Sequence, residues 1–158
     1  MPADSTPCPE CGAAISGGRE GCQAQMDALN ARARSDVRYA STARLAFDTY
    51  CMQHPATYCV SAKSYAAHLM GLCCGVDFAG NPVIYTALQR WLNGSKALTK
   101  PPVPPERGSM TVRDVAAATT PQTYAQAVQH WAATVWADYQ SQHALAHDWI
   151  AAALAADR

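Results

Sequence analysis

The sequence has few charged residues and no long apolar run, and both shortages exclude classes of protein. Charged side chains make up 15% of the 158 residues, and twelve basic side chains balance twelve acidic ones. A neutral chain has no overall attraction to a polyanion, so we do not expect nucleic acid as a partner. The sequence has neither an apolar run of about 18 residues nor a leader with a charged start and an apolar core. We therefore expect no membrane-spanning helix, no signal peptide and a cytoplasmic location.

The seven cysteines are an odd number, which a framework of disulfides leaves with an unpaired thiol. Four of them lie within or beside apolar stretches, namely Cys51, Cys59, Cys73 and Cys74. At such positions a free thiol behaves as a small hydrophobic side chain. The pattern therefore fits a reducing compartment, in agreement with the expected cytoplasmic location.

The other three cysteines are spaced as zinc ligands. The run C-P-E-C-G places Cys8 and Cys11 three positions apart on a tight turn, and Cys22 follows. The three thiols would then fill three of the four coordination positions of a zinc ion. Residues 1–22 are too poor in apolar side chains to build a core, so a metal would supply their folding energy. We expect a bound Zn²⁺ ion, and the alternative is a flexible segment of reducible thiols.

The fourth zinc ligand is argued from topology. If the first helix runs away from Cys22 and the second returns antiparallel, His54 comes back to the level of Cys22 at the end of the second helix. A neutral imidazole there would complete a closed Cys₃His site, which is typical of structural zinc. His143 is the alternative fourth ligand, and another group or water stays open as well.

The apolar pattern after Cys22 has the helical period almost throughout, and no period-two alternation is long enough for a sheet. Helix starts are predicted at Ser35 or Asp36, Ser61, Asn81-Pro82 and Thr120-Pro121, and helix ends at Pro55, Gly75 and Gly94. The last helix is predicted to be the longest, from Thr120 to about Ala156, and to form the spine of a bundle. We expect an all-α single domain, 1–158, in which the zinc segment 1–22 packs on a helical bundle, 23–157.

Several short motifs carry a family resemblance. They are C-P-E-C-G with Cys22, the stretch 50–55 (Y-C-M-Q-H-P), the stretch 108–115 (G-S-M-T-V-R-D-V) and the stretch 128–132 (V-Q-H-W-A) followed by Val135-Trp136. With them most of the chain resembles a family of small bacterial proteins known as a domain of unknown function. The stretch 50–55 is similar to the family motif A-Y-x-x-Q-H-P, with Thr49 in place of alanine. Gln142 and Arg44 stand at or near places where relatives carry histidine. The resemblance implies the zinc segment and the helical fold, and it implies no activity.

The candidate catalytic residues are His143, Asp48 and Tyr139. With Tyr50 and Trp136 they would line a pocket if the second helix and the last helix are neighbours. In such a pocket His143 would act as acid or base, and Asp48 would orient it. The aromatic residues could equally belong to the core. We expect a zinc-stabilised helical protein that binds a small molecule or acts as an enzyme, with the substrate and reaction open.

Two other interpretations are kept. His143 and His147 lie one helical turn apart, and with His54 they would resemble the three-histidine metal site of DinB-like four-helix-bundle proteins. Alternatively, the protein is a regulatory or interaction module whose zinc segment forms part of the surface for a protein partner. A filled interior with an exposed apolar patch would favour the module, and a pocket holding His143 beside a carboxylate would favour the small-molecule site.

Overall fold

A computed structural model describes residues 6–158, and its helices confirm the all-α prediction. Within that range the chain forms eight α-helices, two 3₁₀ segments and no β-strand. The helices are α1 (Gly18–Ser35), α2 (Ala43–Gln53), α3 (Pro55–Tyr58), α4 (Ala62–Asp77), α5 (Pro82–Asn93), α6 (Val112–Ala116), α7 (Pro121–Asp138) and α8 (His143–Ala156); the 3₁₀ segments are Val37–Thr42 and Gln140–Gln142. The first five residues of the expected segment 1–22 lie outside the described residues.

Polar side chains fix the starts of three helices, and all three starts were predicted. At α4 the Ser61 hydroxyl accepts from the backbone N–H of Ser64, whose own hydroxyl accepts from the N–H of Ser61. Thr120 and Thr123 repeat this capping box at α7. The side chain of Asn81 caps α5. Each cap satisfies backbone donors that the first turn of a helix leaves free.

Two glycines allow α2 and α4 to approach each other closely. Gly75 was expected to end α4, but the helix continues past it to Asp77. A Cβ atom at Gly75 would clash with the side chain of Leu45, and one at Gly71 would clash with the carboxyl group of Asp48. Gly71 and Gly75 lie one turn apart and therefore on one face of α4. Their role is close packing of helices, which explains why Gly75 does not act as a stop.

The single long helix expected from Thr120 to Ala156 is two helices in the structure, α7 and α8. The 3₁₀ turn between them directs two polar side chains into the interior. Tyr139 donates its hydroxyl hydrogen to the backbone oxygen of Met52 at 2.6 Å, and the side-chain oxygen of Gln142 accepts from the Tyr65 hydroxyl at 2.7 Å. Buried polar groups need such partners. The break therefore comes from tertiary hydrogen bonds, since neither proline nor glycine is present there.

One hydrophobic core connects the helices with the N-terminal segment. Helix α4 packs against α2, α5, α7 and α8, and its buried face includes Leu69 and Leu72. The core extends to Cys8, Ala13 and Ile15, which precede α1. Among the described helices, none combines the length and the apolar character that crossing a bilayer demands.

Gln53, the last residue of α2, ties the connector 94–111 to the bundle. Its side-chain amide donates to the backbone oxygens of Arg107 and Met110, each at 2.7 Å. Its side-chain oxygen accepts from the indole N–H of Trp131 at 2.9 Å. Gln53 and Trp131 are both fully buried. The side-chain amide of Gln53 is therefore the shared hydrogen-bond partner of the Trp131 indole and of two backbone oxygens in the connector.

Candidate metal centre

Cys8, Cys11, Cys22 and His54 meet where the N-terminal segment lies against the end of α2. The Nε2 atom of His54 lies 3.6 Å from Sγ of Cys8 and 3.4 Å from Sγ of Cys22. The Sγ atoms of Cys11 and Cys22 are 3.8 Å apart. All four potential ligand atoms lie within 4.8 Å of one another, and only Cys11 is not fully buried. This set of three thiols and one imidazole can hold a metal ion.

A backbone turn presents the first two thiols. The N–H of Gly12 donates to the backbone oxygen of Cys8 at 2.8 Å, and the N–H of Cys8 donates to the backbone oxygen of Ala13 at 2.9 Å. Gly12 has a φ of 76°, in the left-handed region where glycine is favoured. An isolated antiparallel bridge between Pro7 and Ala14 closes the turn. This one turn therefore explains both the spacing of the two cysteines and the glycine that follows them in C-P-E-C-G.

His54 is held so that Nε2 faces the cysteines. Its Nδ1 atom lies 2.7 Å from the backbone oxygen of Tyr50, and the Tyr50 ring stacks on the imidazole with 3.9 Å between centroids. A neutral ring that donates from Nδ1 to this oxygen leaves the lone pair on Nε2 for a metal. The structure thus brings His54, and not His143, to the three cysteines.

The cluster favours one ionised thiol. The hydrogen bonds that Cys11 and Tyr50 donate to its sulfur lower the pKa of Cys22, although burial opposes the shift. The bond from Cys11 raises the pKa of Cys11, and burial raises it further. A thiolate is the form of cysteine that metals bind. Cys22 therefore has the protonation state that a metal ligand needs.

Glu10 and Arg107 fasten the cysteine turn to the rest of the protein, and sequence analysis missed both. The Arg107 guanidinium donates to the backbone oxygens of Glu10 at 2.7 Å, Gln53 at 3.3 Å and Pro104 at 2.8 Å. The carboxylate of Glu10 accepts from the hydroxyl of Thr57 at 2.9 Å. The position of Glu10 between two cysteines was the available signal. Nothing in the sequence relates Arg107 to this turn.

The residues expected to form a catalytic pocket have other partners. His143 places Nε2 at 2.7 Å from the backbone oxygen of Trp136 and stacks on the Trp136 ring. Asp48 pairs instead with Nδ1 of His68 at 2.9 Å. Tyr139 is fully buried and bonds to the backbone of α2. The expected pairing of Asp48 with His143 is therefore wrong, because the close contact of α2 and α4 gives this carboxylate to His68.

The three-histidine arrangement is also not formed. His147 lies with Nε2 at 2.8 Å from a carboxylate oxygen of Asp77, and His143 faces the backbone of α7. His54 belongs to the cysteine cluster. Each of the three imidazoles consequently lies in a different environment, since the break before α8 reorients the helix that carries two of them.

Asp48 is a buried carboxylate with one unsatisfied oxygen. Its Oδ1 atom contacts His68, but Oδ2 finds no hydrogen-bond partner within the described part of the chain. Nε of Arg44 lies 3.8 Å from Oδ2. Burial raises the pKa of Asp48, while the hydrogen bond of His68 and the charges of His68 and Arg44 oppose the rise. The charged form of this carboxyl group therefore costs stability.

Replacing Asp48 by asparagine should stabilise the protein at neutral pH. A raised carboxyl pKa means that the folded state holds this proton more tightly than the unfolded chain does, so stability falls as pH rises above about 4, the ordinary aspartate value. Asparagine removes that loss and keeps an oxygen for His68. Urea unfolding of both proteins from pH 4 to 7 should show a stability difference that grows with pH. With the exposed Asp148→Asn as control, an Asp48→Asn variant that is less stable than wild type at pH 7 would contradict this account.

Comparison with known proteins identifies a family match. The model of a family described as "Family of unknown function (DUF5946)" matches residues 6–140. The matched region contains the four residues of the cysteine cluster and α1 to α7. No curated protein and no solved structure matches the chain.

Proposed function

The chain belongs to the DUF5946 family, whose function is unknown, and we propose from its own residues that it is a zinc protein. In this proposal Cys8, Cys11, Cys22 and His54 bind one Zn²⁺ ion. The ion fastens the N-terminal segment to the end of α2 and stabilises the helical bundle.

The distances between the ligand atoms carry this proposal. Zinc binds thiolate sulfur at about 2.3 Å and imidazole nitrogen at about 2.0–2.1 Å, almost always in a tetrahedron at structural sites. A tetrahedron of these bond lengths separates two sulfurs by about 3.8 Å and a sulfur from a nitrogen by about 3.6 Å. The corresponding distances in the cluster are 3.8 Å for Cys11 to Cys22, and 3.6 Å and 3.4 Å for His54 to Cys8 and Cys22. These three separations match a zinc tetrahedron, and the other three pairs of ligand atoms lie within 4.8 Å.

The donor set supports a structural role for the ion. Three cysteines and one histidine fill all four places of zinc, so no place is left for a substrate. The Nδ1 contact of His54 with the Tyr50 backbone is the outer hydrogen bond that orients a metal-bound imidazole. Residues 6–17, the described part of the segment before α1, bury few apolar side chains, so metal binding would supply much of their stability.

A second candidate function, small-molecule binding, is supported by a cavity beside the proposed zinc site. The cavity has a volume of about 290 Å³ and is lined by the rings of Tyr50, His54 and Tyr58. Arg19 also lines it and pairs with Glu10 at 3.4 Å, which leaves the carboxylates of Glu20 and Asp27. Aromatic rings next to these two carboxylates suit a small cationic ligand. We propose this cavity in place of the pocket expected around His143. A protein partner is the alternative, and isolation of the protein in a stable complex with another chain would favour it.

Substitution of two histidines tests the zinc proposal. Purified under reducing conditions without chelators and dialysed into metal-free buffer, the protein should retain about one zinc ion per chain. His54→Ala should release this ion, because a closed site that loses its fourth ligand must recruit water. His143→Ala should keep the zinc and the helical circular dichroism signal, because His143 contacts Trp136 and not the cysteines. Wild-type protein purified without zinc would contradict the proposal. A result in which His143→Ala loses its zinc while His54→Ala keeps it would contradict it as well.

A further inference from the structure

A second group of potential metal ligands lies between α4 and α8. Cys73 and Asp77 are one turn apart on α4 and so share a face, and His147 reaches them from α8. Nε2 of His147 lies 2.8 Å from Oδ2 of Asp77, and Sγ of Cys73 lies 3.9 Å from the same oxygen. The three potential ligand atoms lie within 4.8 Å of one another. None of these residues takes part in the proposed zinc site.

We propose that Cys73, Asp77 and His147 bind a second divalent transition-metal ion of the zinc and cobalt class. One sulfur, one nitrogen and one carboxylate oxygen are ligands that such ions accept, whereas calcium and magnesium require oxygen ligands. Three protein ligands leave one place of a tetrahedron for water. This site would therefore be open, unlike the closed site formed by the other cysteines.

Trp136 holds the carboxylate of this group in place. Its indole N–H donates to both oxygens of Asp77, at 3.1 and 3.2 Å. Each carboxylate oxygen has a further lone pair, so Oδ2 can accept this hydrogen bond and still bind a metal. The ring of Phe78 lies beside that of His147, with 5.4 Å between centroids. Such outer contacts orient metal ligands before the ion arrives.

The geometry requires two small adjustments: Sγ of Cys73, now 3.9 Å from Oδ2 of Asp77, must come closer by about 0.4 Å, and the exposed histidine must move as well. In a tetrahedral site with bonds of about 2.0 Å, nitrogen and oxygen are about 3.3 Å apart, so the His147 ring must move away from Asp77 by about 0.5 Å. The side chain of His147 is 46% exposed, which leaves it free to move, whereas Cys73 is fully buried. As the metal–sulfur bond forms, the thiol proton of Cys73 passes to solvent, and His147 binds as the neutral imidazole.

Cobalt titration of the full chain tests this site after dialysis into metal-free buffer, when the chain should retain only the zinc of the closed site. Co²⁺ bound to a thiolate absorbs in the near ultraviolet by charge transfer from sulfur, so a site containing Cys73 has a signature of its own. The wild-type protein should bind one added cobalt ion per chain with this absorption. Cys73→Ser should abolish the absorption, and His147→Ala should weaken binding by about tenfold or more. The controls are Cys59→Ser, another buried thiol, and the exposed His130→Ala, and neither should alter the titration.

Each outcome distinguishes the two metal sites. Wild-type protein that binds no added cobalt, or a charge-transfer band that persists unchanged in Cys73→Ser, would overturn the second site. If Cys73→Ser does not fold, His147→Ala still decides, because an unchanged affinity in that variant overturns the proposal. Zinc content measured on the same samples reports on the first site. A protein without zinc that still shows the Cys73-dependent band would refute the structural zinc and leave the second site standing.

Discussion

Replacing Cys22 by serine is expected to release the proposed zinc ion and to destabilise the protein by about 4 kcal/mol or more. Cys22 is fully buried, and its sulfur contacts Cys11, His54 and the Tyr50 hydroxyl. A serine hydroxyl does not ionise at neutral pH and so cannot replace a thiolate. Elemental analysis should show loss of zinc, and the melting temperature should fall by about 10 °C or more.

Cys59→Ser is the matched control for this experiment. Cys59 is equally buried, but its sulfur contacts the backbone oxygen of Cys51 at 3.6 Å and not the cluster. A serine hydroxyl can donate to that same oxygen, so the control should keep its zinc and lose much less stability. Equal losses of melting temperature in the two variants would show that a buried thiol, and not a metal ligand, is what Cys22 contributes.

Replacing Gln53 by alanine is expected to cost about 4 kcal/mol of unfolding free energy. The change leaves the Trp131 indole N–H and the backbone oxygens of Arg107 and Met110 without their partner. A buried polar group without a partner costs about 1–3 kcal/mol, and the removed side chain also leaves a cavity. Urea unfolding, followed by circular dichroism, measures the loss.

Gln126→Ala provides the comparison, because Gln126 lies exposed on α7. Its substitution should change the unfolding free energy by less than about 0.5 kcal/mol. Gln53→Ala should also make the connector 94–111 more sensitive to protease, since two of the hydrogen bonds that hold it are gone. A Gln53→Ala protein as stable as Gln126→Ala would show that the connector is held by other contacts.

The parts of the fold that depend on local chemistry could be predicted from the sequence. Ser61, Asn81 and Thr120 begin helices because their side chains bond to nearby backbone N–H groups, and such contacts are visible within a few residues. The cysteine turn is equally local, since Cys8 and Cys11 share it with Gly12. His54 required one further step, an assumed antiparallel return of the second helix, and without that assumption His143 stayed open as the fourth ligand.

The parts that depend on distant contacts could not be predicted. The helix break follows from Tyr139 and Gln142, whose partners lie 87 and 77 positions away in the chain. Asp48 pairs with His68 because Gly71 lets α2 and α4 come close, and the sequence alone does not fix which helix faces this carboxylate. For the same reason the expected pairing of Asp48 with His143 was wrong, while Cys73, Asp77 and His147 came together without a spacing motif.

The order of the four clustered residues along the chain has a consequence for how the protein would acquire the proposed zinc ion. Ribosomes add roughly 5–20 residues per second. His54 follows Cys22 by 32 positions, so it emerges from the ribosome roughly two to six seconds after the last clustered cysteine. During this interval the three thiols can take up zinc from solution with water in the fourth place, and α2 then delivers the imidazole that closes the site. The amount of zinc available during synthesis would therefore largely determine how many chains carry the ion. Zinc would enter the folded protein less easily, because the ligands are then largely buried.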